Sequence, residues 1–124
     1  MATSADFEKM VSHILHSRNQ AHIFHLQTES FAEHMAFQAY YEGIVALLDG
    51  LVESYQGKNG IIKKYTSFSL NNYEGNKESI NYFKALLKNI ETLKSDVQDT
   101  YLLNQIDTIV ELVQSTIYKL SHLK

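Results

Sequence analysis

Between His22 and Glu53 the chain reads HIFHLQTESFAEHMAFQAYYEGIVALLDGLVE, which holds three of its six histidines and two acids, Asp49 and Glu53, near its far end. Imidazole and carboxylate are side chains that ligate Fe(II), Mn(II) or Zn(II), so the first chemistry offered by His22, His25, His34, Asp49 and Glu53 is metal binding. A second chemistry overlaps it. Arg18, Asn19, Gln20, His22, His25 and Gln27 crowd donors into three helical turns, and Arg18 is the sole arginine of the chain. A guanidinium suits bidentate recognition of phosphate or carboxylate. With Gln38 added, Arg18, Gln20, His22, His25 and Gln27 would line a pocket for a small anionic ligand such as a nucleotide.

Reach decides how the metal set can assemble. His34 and Gln38 lie one helical turn apart, as do Asp49 and Glu53, so each pair projects from one face. Asp49 is fifteen residues past His34, about 22 Å along a helix at 1.5 Å per residue. Metal–ligand bonds are near 2 Å, so one ion cannot touch both ends of this helix. In an antiparallel hairpin His25 falls beside His34, whereas Asp49 and Glu53 fall opposite Phe7 and Met10. A second chain related by a two-fold axis would bring its own Asp49 and Glu53 to the first chain's His25 and His34. The expected partner is therefore another copy, in a homo-oligomer built on two-fold dimers.

Four helices must position these groups. Phe7, Val11, Ile14, Leu15, Ala21 and Leu26 recur near helical spacing from about residue 5 to 27. Arg18, His22 and His25 continue the face begun by Phe7, Val11 and Ile14, and need partners there; His34, Gln38 and Glu42 are the nearest candidates. Thr28 or Ser30 can cap the second helix, with Glu33 at the capping-box position. That helix is expected to run to about Gln56, with Gly57 as its stop. Residues 57–76 form a long connection with room for a short helical turn. A third helix carries Ile80, Phe83, Leu86, Leu87, Ile90 and Leu93. DVQD at 96–99 is a tight turn, and a fourth helix carries Tyr101, Leu103, Ile106, Val110, Val113, Ile117 and Leu120. Two hairpins joined by a long crossover between helices 2 and 3 make an all-α four-helix bundle, one domain over 1–124.

The second helix sorts into three stripes. Phe37, Tyr40, Ile44, Leu47, Leu51 and Tyr55 are a bulky core stripe. Ala32, Ala36, Ala39, Gly43, Gly50 and Ser54 are uniformly small, which admits close approach of a helix from the same bundle or from a second subunit. His34, Gln38, Val45, Asp49, Val52, Glu53 and Gln56 mix polar groups with valine. Tyr40 and Tyr41 read as core and interface packing, Lys63 and Lys64 as a solvated loop, and His13, His16 and His122 as surface residues.

Composition narrows the classes. Cysteine is absent, which excludes disulfides and thiolate metal sites and fits a cytosolic protein. A net charge of −3 argues against a chain built to coat DNA or an anionic membrane. MATSADFEKM lacks the basic and apolar regions of a signal peptide, and GIVALLDGLV is short and broken by Asp49, so a soluble protein without membrane contact is expected. No nucleophilic triad, phosphate-cradling glycine loop or nucleic-acid motif is visible.

His25, His34, Asp49 and Glu53 in the first hairpin resemble the ferroxidase region of the Dps proteins, ferritin-like mini-ferritins, over roughly residues 18–57. The resemblance implies iron as cofactor, Fe(II) oxidation, these four residues as ligands with His22 nearby, and a two-fold-related subunit supplying the acids. Gln38 stands where that family places an acid one turn after the second histidine, and Leu26 replaces its usual tryptophan. The basic tail that many of those proteins use on DNA has no counterpart here. NQAHIFHLQTESFAEH, YYEGI and VESYQGKNGII also resemble small ferritin-like proteins of tailed phages, the closer of the two likenesses. It implies the cytoplasm of a bacterial host and, as the alternative function, a non-catalytic protein that sequesters a nucleotide signal against host defence.

Overall fold

The computed structural model describes residues 3–124 as four helices: α1, Ala5–Gln27; α2, Phe31–Asn59; α3, Asn76–Leu93; and α4, Thr100–His122. Each packs against two others, in the cycle α1–α2–α4–α3. Among the described residues no helix is long and apolar enough to cross a membrane.

Caps explain where the first two helices begin. Ser4 and Ser30 are extended N-cap residues whose hydroxyls accept from Phe7 N and Glu33 N, both at 3.2 Å, satisfying amides that the first turn leaves unpaired. The α1–α2 register is fixed from both ends. Phe7 stacks on Tyr55 with centroids 3.6 Å apart, and the Ser4 amide donates to the Tyr55 hydroxyl at 2.8 Å. Midway, Ser17 donates to the Ile14 carbonyl at 2.6 Å, so Tyr40 must donate to Ser17 Oγ at 2.7 Å. Tyr40, wholly buried, thereby satisfies its one hydroxyl proton.

Four expectations change. α2 does not stop at Gly57; it continues to Asn59, and Gly60 ends it with φ 90° and its amide on the Gln56 carbonyl. That left-handed φ is open to glycine at little cost. No helical turn forms in the connection, residues 60–75. Leu15, Leu26 and Tyr101 share the apolar periodicity yet are 47%, 69% and 46% exposed; they lie at the outer edges of their stripes. In the α2 core stripe Leu48 is buried, whereas the expected member Leu47 is only partly so.

The small stripe of α2 faces α4. A Cβ on Gly43 would lie 3.3 Å from Leu112 Cδ2, and one on Gly50 would lie 3.7 Å from Gln105 Nε2. Close packing against Leu112 accounts for Gly43, whereas at Gly50 an added Cβ would make only an ordinary contact.

The connection runs along α1, fastened by side chains. Thr66 N donates to Ser12 Oγ at 2.9 Å, and a ring nitrogen of His16, Nε2, meets the Ser69 carbonyl at 2.8 Å. Gln20 is fully buried and pairs with both backbone groups of Asn71 at 2.8 Å. Gln27 accepts from Tyr73 N at 2.6 Å and donates to Asn72 Oδ1 at 3.1 Å. Residue numbers rise together on both partners, so the connection runs parallel to α1.

Candidate functional site

The site grows from the short corner between α1 and α2. Three residues, 28–30, separate the helices, which forces the last turn of α1 against the first turns of α2. His25 and His34 stack there, ring centroids 3.7 Å apart and planes 20° from parallel. His25 Nδ1 lies 2.8 Å from the His34 carbonyl and His34 Nδ1 lies 3.0 Å from the His25 carbonyl. A carbonyl only accepts, so both Nδ1 atoms carry the proton. In the neutral tautomer the lone pair of each ring then sits on Nε2. The His25 carbonyl belongs to the end of α1, where intrahelical donors run out, and the His34 ring supplies the missing one.

His22 lies on the same strip. Its ring stacks on Tyr41 at 4.3 Å and stands 6.0 Å from that of His25, which meets Tyr41 edge-on at 5.3 Å. The Arg18 guanidinium carbon is 5.7 Å from the Tyr41 centroid. Tyr41 is thus the hub that sequence reasoning missed, because an i, i+4 pair on one helix does not reveal which ring on the other lies between. Gln38 is half-buried and Glu42 exposed; neither bonds to the histidines among the described residues.

Asp49 and Glu53 are exposed on the outer side of α2, remote from His34 along the axis. Among the described residues of one chain no group of three or more His, Cys, Asp or Glu is disposed to hold a metal. One chain offers the two stacked imidazoles and, far along α2, two carboxylates.

Other predicted ligands have different work. Gln20 and Gln27, expected to face a small anion, have both amide ends engaged by the connection. His13 and His16 are half-buried rather than surface groups. His13 stacks on Phe68 at 4.3 Å; burial, then Lys9 and His16, lowers its pKa. His16 Nε2–H donates to the Ser69 carbonyl, which leaves Nδ1 to accept the Tyr82 hydroxyl at 2.7 Å. Burial pushes that hydroxyl's pKa upward, with Tyr40 adding to the effect. His122 is exposed, as expected. A uniform signal was available: Ser12, His16, Gln20 and Gln27 recur every four, four and seven residues, a polar stripe without a full charge. Solvated stripes normally carry charge.

Glu33 was expected to close a capping box. It is buried, 5% exposed, and accepts from the hydroxyls of Thr28 and Tyr73, both at 2.6 Å, and from the Asn76 amide. Burial raises its pKa, but the three donors together outweigh it and hold the carboxyl below its ordinary value. The same contact, after burial, raises the Tyr73 pKa. This knot joins α2, the end of the connection and the start of α3 immediately behind His34.

Fold and site define an all-α four-helix protein with a paired-histidine corner. Residues 25–120 match the model of DUF5856, a family of unknown function, and the chain belongs to that family. No curated protein and no solved structure matches the chain.

Proposed function

We propose that the protein acts as a homo-oligomer of two-fold pairs that binds a divalent metal, iron foremost, between protomers. His25 and His34 of one protomer would be joined by Asp49 and Glu53 of the other, with His22 alongside. The reading is supported by one observation above all: both imidazoles donate Nδ1–H to a backbone carbonyl. That is the outer bond by which metal-binding histidines are usually oriented, with Nε2 left for the ion. The donor set of imidazole and carboxylate suits Fe(II), Mn(II) or Zn(II). One chain alone lacks the third ligand, and the exposed acids of α2 are the donors a second copy can bring.

Bound iron would supply one-electron chemistry with dioxygen. The chain's own contribution is to hold two imidazoles in fixed tautomers. Because each lone pair lies in its ring plane and the planes stack 3.7 Å apart and 20° from parallel, one ion would take both Nε2 atoms only as the stack opens. Gln38 offers an amide where the resemblance expects a carboxylate, which lowers the negative charge available and favours binding over oxidation.

The test mixes two variants. Protein carrying His25→Ala and His34→Ala retains its acids; protein carrying Asp49→Ala and Glu53→Ala retains its histidines. Neither alone should retain Fe(II) or Zn(II) in elemental analysis, whereas each mixed pair should regain one intact site. A native mass showing one monomeric species, or metal retained equally by both variants, would overturn the reading.

A further inference from the structure

Arg18 has more hydrogen-bonding capacity than its surroundings use. It is half-buried, lies over Tyr41 and gives one N–H to Asn19 Oδ1 at 3.0 Å. A guanidinium has five such donors. The two ion pairs among the described residues, Lys58–Asp99 and Lys94–Glu91, do not include it. Withdrawing a cation from water without a counter-charge is costly.

Arg18 borders a groove of about 300 Å³ between α1 and α2. Ile44 and Leu48, 1% and 4% exposed, form an apolar floor; Leu15 and Val45, 47% and 44% exposed, form its walls. Asn19 and Asp49 complete the rim. Arg18 and Asp49 share this groove yet form no ion pair, and Asp49 has no hydrogen-bonding partner among the described residues. A cavity of about 310 Å³ beside Ser4 and the α3–α4 turn differs in this respect: its Lys58 is already paired with Asp99 at 2.7 Å.

Opposite charges held apart over an apolar floor fit a molecule with an oxyanion at one end, a hydrogen-bond donor at the other and a flat body between. A nucleoside monophosphate has these three parts. We propose that this groove binds a nucleoside monophosphate, its phosphate on Arg18 and Asn19, its base over Ile44 and Leu48, and a ribose hydroxyl or exocyclic amine donating to Asp49. The groove is lined by a single chain; because Asp49 is also a proposed ligand of the intersubunit metal, metal and nucleotide would compete for it.

The experiment uses full-length protein freed of metal by chelator, titrated calorimetrically with AMP, GMP, CMP and UMP, and with adenosine and inorganic phosphate. At least one nucleotide should bind at millimolar concentration or below, more tightly than phosphate or adenosine. Arg18→Gln should weaken it at least about tenfold, the loss of one charge-assisted hydrogen bond. Val45→Trp, which fills the groove from an exposed position, should abolish binding while the helical circular dichroism is unchanged. Amide shifts on binding should centre on residues 15–19 and 44–49. Absence of binding by all four nucleotides, phosphate binding as tightly as any nucleotide, unchanged affinity in both variants, or shifts centred elsewhere would each overturn the proposal.

Discussion

His25 and His34 are each hydrogen-bonded to the other's backbone: each ring gives its Nδ1–H to the carbonyl of the facing residue, and the rings stack at 3.7 Å. The arrangement ties the last turn of α1 to the first turns of α2 and fixes both tautomers. His16 is fixed in the opposite sense, with Nε2–H on the Ser69 carbonyl. In long-range proton–nitrogen spectra the neutral forms of His25 and His34 should show the Nδ1–H pattern, and that of His16 the Nε2–H pattern. Rapid exchange between tautomers at His25 and His34 would remove the geometric basis of the metal reading.

The same pair has a mechanical role separable from any metal. His34→Phe keeps a stacking ring but leaves the His25 carbonyl without its side-chain donor at the partly buried corner. The expected loss is about 1–2 kcal/mol of unfolding free energy, read from urea midpoints in metal-free buffer. A shift well beyond that range would mean the corner contributes more than one bond.

Gln20 should govern the connection. Its amide replaces a missing backbone ladder by pairing with both the N–H and C=O of Asn71. Gln20→Ala removes both bonds in a fully buried position and should cost about 2–3 kcal/mol. Amide exchange at Thr66, Asn71 and Tyr73 should accelerate much more than exchange in α4. Uniform acceleration across the chain would show that the connection has no separate opening.

Glu33 sets a pH dependence with a definite sign. Its folded pKa lies below the ordinary 4.5, so the folded state binds fewer protons than the unfolded chain just below that value. Its contribution is complete above the unfolded pKa and is lost as pH falls through the folded one. Glu33→Gln turns an amide donor toward groups that are themselves donors. It should cost about 1–3 kcal/mol at neutral pH. The wild-type midpoint should then fall more steeply than the variant's below about pH 4.5, the two curves converging in acid; parallel curves would exclude the network as the cause.

What the sequence discloses here follows the strength of its periodicities. The four helices are legible because Phe7, Val11, Ile14 and their counterparts recur at helical spacing and because Ser30 sits where an N-cap belongs; the Ser4 cap is a finding of the structure. The His25–His34 meeting is legible because the corner is only three residues long. Gln20 and Gln27 are not, since a carboxamide serves a ligand and a backbone equally well and nothing local chooses between them. Glu33 misleads for a related reason: its position fits a capping box, while two of its three donors, Tyr73 and Asn76, are some forty residues away in sequence. The stop at Gly60 rather than Gly57 comes with a contact no local pattern announces, Ile62 N donating to the Gln56 side chain at 3.0 Å.

The two glycines of α2 that face α4 should respond differently to the same added methyl. Alanine in a helix interior is favoured over glycine by about 1 kcal/mol. At Gly50 the new Cβ meets Gln105 Nε2 at 3.7 Å, an ordinary contact, so Gly50→Ala should raise stability by nearly that amount. At Gly43 it meets Leu112 Cδ2 at 3.3 Å. Leu112 must yield a few tenths of an ångström, and Gly43→Ala should gain less than Gly50→Ala. Gly43→Leu cannot be absorbed by one leucine terminus and should cost about 1–3 kcal/mol through overpacking. Thermal unfolding read beside native mass distinguishes this account from one in which the small stripe receives another subunit. If α4 is the neighbour, the stabilities change in that order while the oligomeric state is untouched, whereas an altered mass in Gly50→Ala or Gly43→Ala would move the stripe to an interface.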